Sequence, residues 1–192
     1  LGGNGVANST VFGAVAGDTM AQWAGKEGSF LEPDRSSVEE AISRCEKPFD
    51  AKTRPHGSLA PLRERLYEVM WDKVGIIRDE AGLRAGLAEL AAIEGELKEC
   101  GIADADRAFD LSWHDWLNLK NLTQTSRVIA EAALARTDSR GAHFRGDFPA
   151  SGALESSSYT SLQMNNSELK INIKPVAFTR VRPGQSLLKA AV

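Results

Sequence analysis

Apolar positions recur along most of this chain at intervals of three and four residues, and only near its end at intervals of two. From Asn4 to Trp23 the larger apolar residues Val6, Val11, Val15, Met20 and Trp23, with Phe12 beside them, keep near-helical spacing while Ala and Gly fill the gaps. The spacing predicts a helix. Its small residues Ala7, Gly13, Ala14, Ala16 and Gly17 predict close approach of another backbone, because each Gly costs up to about 1 kcal/mol of helix propensity. Gly25 and Gly28 mark its end. Ser36 with Glu39 forms a capping-box pattern that predicts a short charged helix through Val38, Ala41 and Ile42, stopped by Pro48, and Phe49 to Ser58 follows as a connector.

Three longer helices come next. Ser58 as cap and Pro61 in the first turn precede the stripe Leu62, Leu66, Val69, Met70 and Lys73, which Gly75 breaks. Asp79 predicts the cap of a second helix with Leu83, Leu87, Leu90, Ile93 and Leu97 on one face, closing at Gly101. A third is expected from Ser112, with Asp115 in the capping-box position, through Trp116, Leu119, Ser126, Ile129, Ala133 and Leu134 to about Arg136. Pro149 forbids further helix, and from Tyr159 the pattern alternates. Leu162 and Met164 stand before Asn165-Asn166-Ser167, and Leu169, Ile171 and Ile173 after it, as in a β-hairpin. The expected fold is mainly α, an antiparallel three-helix bundle preceded by a Gly-rich helix and followed by a C-terminal hairpin and tail. The segments are 1–30, 31–57, 58–149 and 150–192.

Composition narrows the function. The chain has 192 residues, 42% apolar and 26% charged, with 23 Lys+Arg against 26 Asp+Glu and a formal net charge of −3. Such a chain can bury a core and is not disordered as a whole. Near-balanced charge without a basic tract argues against nucleic acid as partner, since phosphate neutralisation needs a local excess of Lys and Arg. Val6 to Met20, the longest weakly polar stretch, falls short of the roughly 20 apolar residues a bilayer span requires. Cys45 and Cys100 are far apart, so no disulfide framework or Cys-x-x-Cys metal site is expected, and a reducing compartment fits. Beginning at Leu1 rather than Met, the chain reads as a piece of something longer.

Candidate chemistry is sparse. His56, His114 and His143 lack metal-ligand spacing, so no metal site is expected. Trp71, Trp113 and Trp116 read as core, and His114 as a packing neighbour of Trp113. The run Leu1-Gly2-Gly3-Asn4-Gly5 leads straight into a helix and leaves amides uncovered at the positive end of the helix dipole, a geometry that suits an anion or an electron-rich ring, though from the residues alone a plain tight turn is the preferred reading. The dense polar set Arg140, His143, Arg145 and Asp147 could dock one domain on another, contact a partner, or be a solvated loop. Docking is preferred, because exposed ion pairs contribute only about 0–1 kcal/mol and would not account for so dense a motif.

Four segments, in order, carry a resemblance: LGGNGVANSTVFGAVAGD (Leu1 to Asp18), MWDKVGIIRDEAGL (Met70 to Leu83), WHDWLNLKNL (Trp113 to Leu122) and AEAALARTDSRGAHFRGDFP (Ala130 to Pro149). They resemble the C-terminal third of the flavoprotein subunit of the succinate dehydrogenase and fumarate reductase family, to which L-aspartate oxidase is related. The resemblance covers Leu1 to Pro149 and leaves the hairpin outside. It implies that the first helix caps FAD, with Asn4, Gly5 and Val6 as cofactor-binding residues. Many family members have Ser at the position of Gly5, so a side-chain contact there is absent here and a backbone contact remains.

The family's substrate-binding arginine belongs to a motif immediately before the position matching Leu1, and its dinucleotide-binding glycines, substrate histidine and proton-delivering arginine lie further upstream. The resemblance therefore implies no catalytic residue in this chain, with FAD bound by the full-length protein and not by the isolated fragment. It implies as partners the N-terminal FAD-binding portion of the same protein and an iron-sulfur subunit, and a cytoplasmic placement with membrane association through partner subunits. Hydride transfer between a dicarboxylate such as succinate and FAD is the implied chemistry. An L-aspartate oxidase-type flavoenzyme and a free-standing helical interaction module are the alternatives.

Overall fold

The computed structural model of the chain describes residues 3–28, 32–50, 59–102, 107–165, 168–179 and 181–185. Five helices and four strands follow one another: α1 (Gly3–Lys26), α2 (Arg35–Asp50), α3 (Leu59–Asp72), β1 (Ile77–Arg78), α4 (Glu80–Glu99), α5 (Leu111–Ala135), β2 (Phe144–Arg145), β3 (Ser158–Asn165) and β4 (Glu168–Pro175). The expected cap Ser58, His56 and the tip of the hairpin at Asn166 and Ser167 lie outside the described residues. No helix among the described residues is long and apolar enough to cross a membrane.

The chain divides into two compact units, Leu1–Arg44 and Cys45–Val192. The first holds α1, whose side chains from Gly5 onward are exposed along its whole length, Val6, Phe12, Met20 and Trp23 among them. Nothing lies within 4 Å of where a Cβ would stand on Gly13 or Gly17, so the backbone surface these glycines leave bare is open. The start of α2 departs from the expected capping box. Asp34, not Ser36, takes the cap, accepting from the Ser37 amide at 3.0 Å and from the Ser36 and Ser37 hydroxyls at 2.8 and 2.6 Å. These bonds hold its carboxyl down at about 2.

In the second unit α2 runs through Pro48 to Asp50 instead of stopping there. The proline removes an amide from the ladder, and tertiary contacts hold the turn: Trp113 Nε1 donates to Cys45 O at 2.7 Å, the Ile102 amide to Pro48 O at 3.2 Å, and Phe49 meets Trp113 edge-on at 5.1 Å. Helices α3, α4 and α5 contact one another pairwise and form the bundle. Their stripes supply the core: Leu62, Leu66 and Val69 from α3, Leu83, Leu90, Ile93 and Leu97 from α4, and Trp116, Leu119, Ala130 and Ala133 from α5. Trp116 Nε1 donates to Cys100 O at 3.0 Å, tying α5 to the end of α4. Trp71 is 75% exposed, against its expected place in the core, because it stands on the far side of α3 from Leu66 and Val69.

Asp79 caps α4 as expected, accepting from the Gly82 amide at 2.7 Å. For α5 the cap is Asp110, two residues before Ser112, accepting from the Ser112 and Trp113 amides. The hairpin forms where expected, with Leu162 opposite Ile171 and Met164 opposite Leu169, and β3 lies against α5. One feature has no counterpart in the sequence pattern: β1 and β2 pair in parallel, Ile77 with Phe144 and Arg78 with Arg145.

Candidate functional site

An α-helix leaves its last carbonyls without amide partners, and at the end of α5 a side chain supplies the donors. Arg145, from β2, turns Nη1 toward Ala133 O, Leu134 O and Arg136 O at 3.0, 3.1 and 2.9 Å. Its Nε and Nη2 grip Asp147 at 2.7 and 2.6 Å, and its guanidinium lies over the Phe148 ring at 5.0 Å. With 1% of its surface exposed, Arg145 is a buried charge with its counter-ion and every donor engaged. The Asp147 hydrogen bond and charge raise its pKa further, and the same contact holds the Asp147 carboxyl at about 2.

The other end of Asp147 reaches α4: Oδ2 accepts from the Glu80 amide at 2.9 Å, at the positive end of that helix. Ser139, also buried, accepts from the Arg145 amide and donates to Phe148 O, both at 2.8 Å. Between them the chain makes a tight loop, with the Arg140 and His143 amides and carbonyls exchanged at 2.8 and 2.9 Å. Gly141 sits there at φ 58°, a left-handed conformation that favours glycine.

Arg140 faces the hairpin. Its Nε donates to Asp138 at 2.6 Å, Nη1 to Ser157 Oγ at 2.7 Å and Nη2 to Ala153 O at 2.9 Å. Arg136 holds the same aspartate through Nε and Nη2 and donates from Nη1 to Ser158 O. Burial opposes ionisation of Asp138, but the hydrogen bonds and charges of Arg136 and Arg140 keep its pKa below the ordinary value. His143 accepts at Nδ1 from Arg78 Nη1 at 2.8 Å, which leaves the proton on Nε2, a buried nitrogen without a partner among the described residues. Burial first, then the charges of Arg78, Arg136 and Arg145, lowers its pKa.

The structure thus brings together Arg140, His143, Arg145 and Asp147, all four of the residues grouped from the sequence. It adds Arg78, Arg136, Asp138 and Ser139, which sequence reasoning missed. Arg136, Asp138 and Ser139 stand within the same motif and could have been included on that ground. Arg78 is 65 residues from His143 and gave no signal beyond its place in the Met70–Leu83 segment.

Asn4, Gly5 and Val6 occupy the first turn of α1, in the other unit. That turn contains no acidic residue, Val6 is 74% exposed, and nothing stands within 4 Å of a Cβ built on Gly5. A helix start leaves its first amides without intrahelical partners, so the amides of Asn4 and Gly5 are donors beside an open face and fit the edge of a planar, electron-rich ring. Among the described residues no group of His, Cys, Asp and Glu could hold a metal ion.

Along the chain a Gly-rich helix start precedes a helical bundle closed by an arginine-rich loop, and comparison with known proteins gives its class as the C-terminal portion of a flavoprotein. The family model described as fumarate reductase flavoprotein C-term matches residues 63–187, and the chain belongs to that succinate dehydrogenase/fumarate reductase flavoprotein family. It is 32% identical over 150 residues to one subunit of the fumarate reductase (CoM/CoB) of Methanothermobacter marburgensis, covering 78% of this chain and 26% of that protein. It is 29% identical over 193 residues to the fumarate reductase flavoprotein subunit of Mycobacterium tuberculosis, covering 96% and 33%. In fold it matches the solved structure of Mycobacterium smegmatis Sdh1 in complex with UQ1, with a TM-score of 0.68 at 26% identity over 81% of this chain and 26% of that one. The chain therefore spans about a quarter to a third of the length of the relatives it matches.

Proposed function

We propose that this chain is the C-terminal part of an FAD-dependent oxidoreductase that removes hydride from, or delivers it to, the carbon–carbon bond of a dicarboxylate such as succinate or fumarate. The observation that carries the reading is the open first turn of α1 in a member of this flavoprotein family. When bound, FAD supplies the ring that accepts or gives the hydride. The backbone amides at Asn4 and Gly5 would hold its electron-rich edge, donating to negative charge without having to reorganise, with Val6 beside them. Gly5 keeps that approach free of a side chain, and the exposed Val6 covers the ring from water.

The cluster of Arg140, His143, Arg145 and Asp147 docks the helical unit onto the flavin-binding portion. Substrate-binding and proton-delivering groups come from that portion, and electrons pass onward to an iron-sulfur subunit. The placement that follows is cytoplasmic, with membrane attachment only through partner subunits.

The test is to purify the full-length flavoprotein with its FAD and follow the visible flavin absorbance. Succinate should bleach it and fumarate should restore it. No response to either dicarboxylate refutes the assignment. Gly5→Asp, which sets a carboxylate at the amide-rich turn, should weaken retention of FAD.

A further inference from the structure

Inside the arginine-rich loop nearly every donor is engaged. The Nε and both Nη groups of Arg136, Arg140 and Arg145 all meet carboxylates, carbonyls or a hydroxyl of this chain. Among the arginines around it, Arg78 is the exception. Its Nε donates to Val74 O and Gly75 O at 2.9 and 2.8 Å and its Nη1 to His143, while Nη2 has neither a partner nor burial among the described residues. No carboxylate among them lies within ion-pair distance of this guanidinium, and partial burial pulls its pKa below the ordinary value. Next to it in the chain Ile76 and Ile77 are 73% and 74% exposed, and Phe144, paired with Ile77, is 40% exposed.

We propose that Arg78, on a strand whose neighbours Ile76, Ile77 and Phe144 are exposed, is the anchor of the docking surface and receives a carboxylate side chain from the flavin-binding portion of the protein. The assignment rests on the docking reading given above and names the contact through which it acts. Charge selects the partner. Of the four arginines 78, 136, 140 and 145, Arg78 alone meets no carboxylate among the described residues, so an anion is the partner its free Nη2 would take. A guanidinium loses water when its surface is covered, and an incoming negative charge offsets that loss best. The exposed isoleucines and phenylalanine call for a protein surface around that carboxylate rather than a free anion.

The experiment compares this chain with the full-length flavoprotein by mapping phenylglyoxal modification of arginines and amide exchange of residues 140–147. Arg78 should react in the chain alone, and at least about tenfold more slowly in the full-length protein, the equivalent of about 1.4 kcal/mol. Carbodiimide amidation should mark the partner, with one upstream carboxylate reacting at least about tenfold faster in full-length Arg78→Gln than in the wild type or in Arg78→Lys, which keeps the charge. If the loop amides gain protection in the full-length protein but Arg78 reacts equally in both, the anchor is wrong and docking stands. The anchor is equally wrong if Arg78 is shielded yet no upstream carboxylate responds to Arg78→Gln. If the loop amides exchange equally in both proteins, the docking reading falls, and the anchor with it.

Discussion

Replacing Arg145 by Met retains the stem beside Phe148 and deletes the charged head. That head is 1% exposed, serves three carbonyls at the end of α5 and binds Asp147 through two hydrogen bonds. Asp147 retains the Glu80 amide and, with 29% of its side chain exposed, can be hydrated. The carbonyls are worse placed, since an unsatisfied buried polar group costs about 1–3 kcal/mol. Three carbonyls sharing one nitrogen do not each lose a full bond. Removal of one partner from a buried charged pair typically costs about 3–5 kcal/mol, and that range is the expected loss here. For a unit of this size it lowers the thermal midpoint by about 6–20 °C. Arg145→Lys keeps the charge but cannot hold two carboxylate oxygens and the carbonyls at once, so it should recover less than half of the loss.

The assay is urea unfolding of the 192-residue chain followed by helical circular dichroism, with the dependence on urea compared between variants so that a stability change is separated from a change in the unfolded state. A loss below about 1 kcal/mol, or a lysine variant equal to the wild type, would falsify the clamp and make Arg145 a surface residue in effect.

Four further outcomes are expected. Stability held by Asp147, whose folded pKa is about 2 against 3.8, is fully present above about pH 4 and drains away as pH falls toward 2; an acid titration of the melting midpoint should show this step, and Asp147→Asn should flatten it. His143 has a folded pKa below 6.5, so the folded state favours the neutral ring and stability falls as pH drops below about 6.5; His143→Gln should lose that slope between pH 7 and about 5. Gly86→Ala would set a Cβ 3.0 Å from Lys73 Cβ and 3.1 Å from Val74 Cγ2, and the crowding should cost about 1–3 kcal/mol by urea unfolding. Arg140→Ala should cost about 1–3 kcal/mol, and in the full-length enzyme should lower FAD content more than turnover per bound flavin; a fall in turnover per flavin by orders of magnitude at unchanged midpoint and FAD content would place the loop in the active site.

The helices were legible because each buries a stripe whose period survives in the sequence: Leu62, Leu66 and Val69, or Leu83, Leu90 and Leu97, need only the 3.6-residue repeat to be found. The hairpin was legible for the corresponding reason at period two. Caps were harder. Asp34 and Ser36, or Asp110 and Ser112, are both good capping residues two positions apart, and the choice depends on where the preceding chain turns, which pattern does not record. The β1–β2 pair was invisible, since two-residue strands carry no periodicity and their pairing bridges 67 positions. Pro48 reads as a stop in the sequence, yet α2 continues through it because the turn is held by Trp113 and Ile102, residues far along the chain.

The same division explains why the arginine-rich motif drew attention for a reason that holds only in part. A run of ions in sequence suggests a surface that acts on something, yet Arg145, Ser139 and Asp147 are directed inward and close the ends of α5 and α4. Their spacing is fixed by the distance between a helix end and a loop that must return to it. A residue whose donors are all satisfied within its own unit has little left to offer a partner, so the capacity to bind lies with the member that internal geometry leaves incomplete. Arg78, outside the motif and joined to it through His143, the Gly146 amide and the β1–β2 pair, is that member among the arginines. Substitutions at Arg145 should accordingly report on folding in the chain by itself, and substitutions at Arg78 on assembly once the rest of the flavoprotein is present.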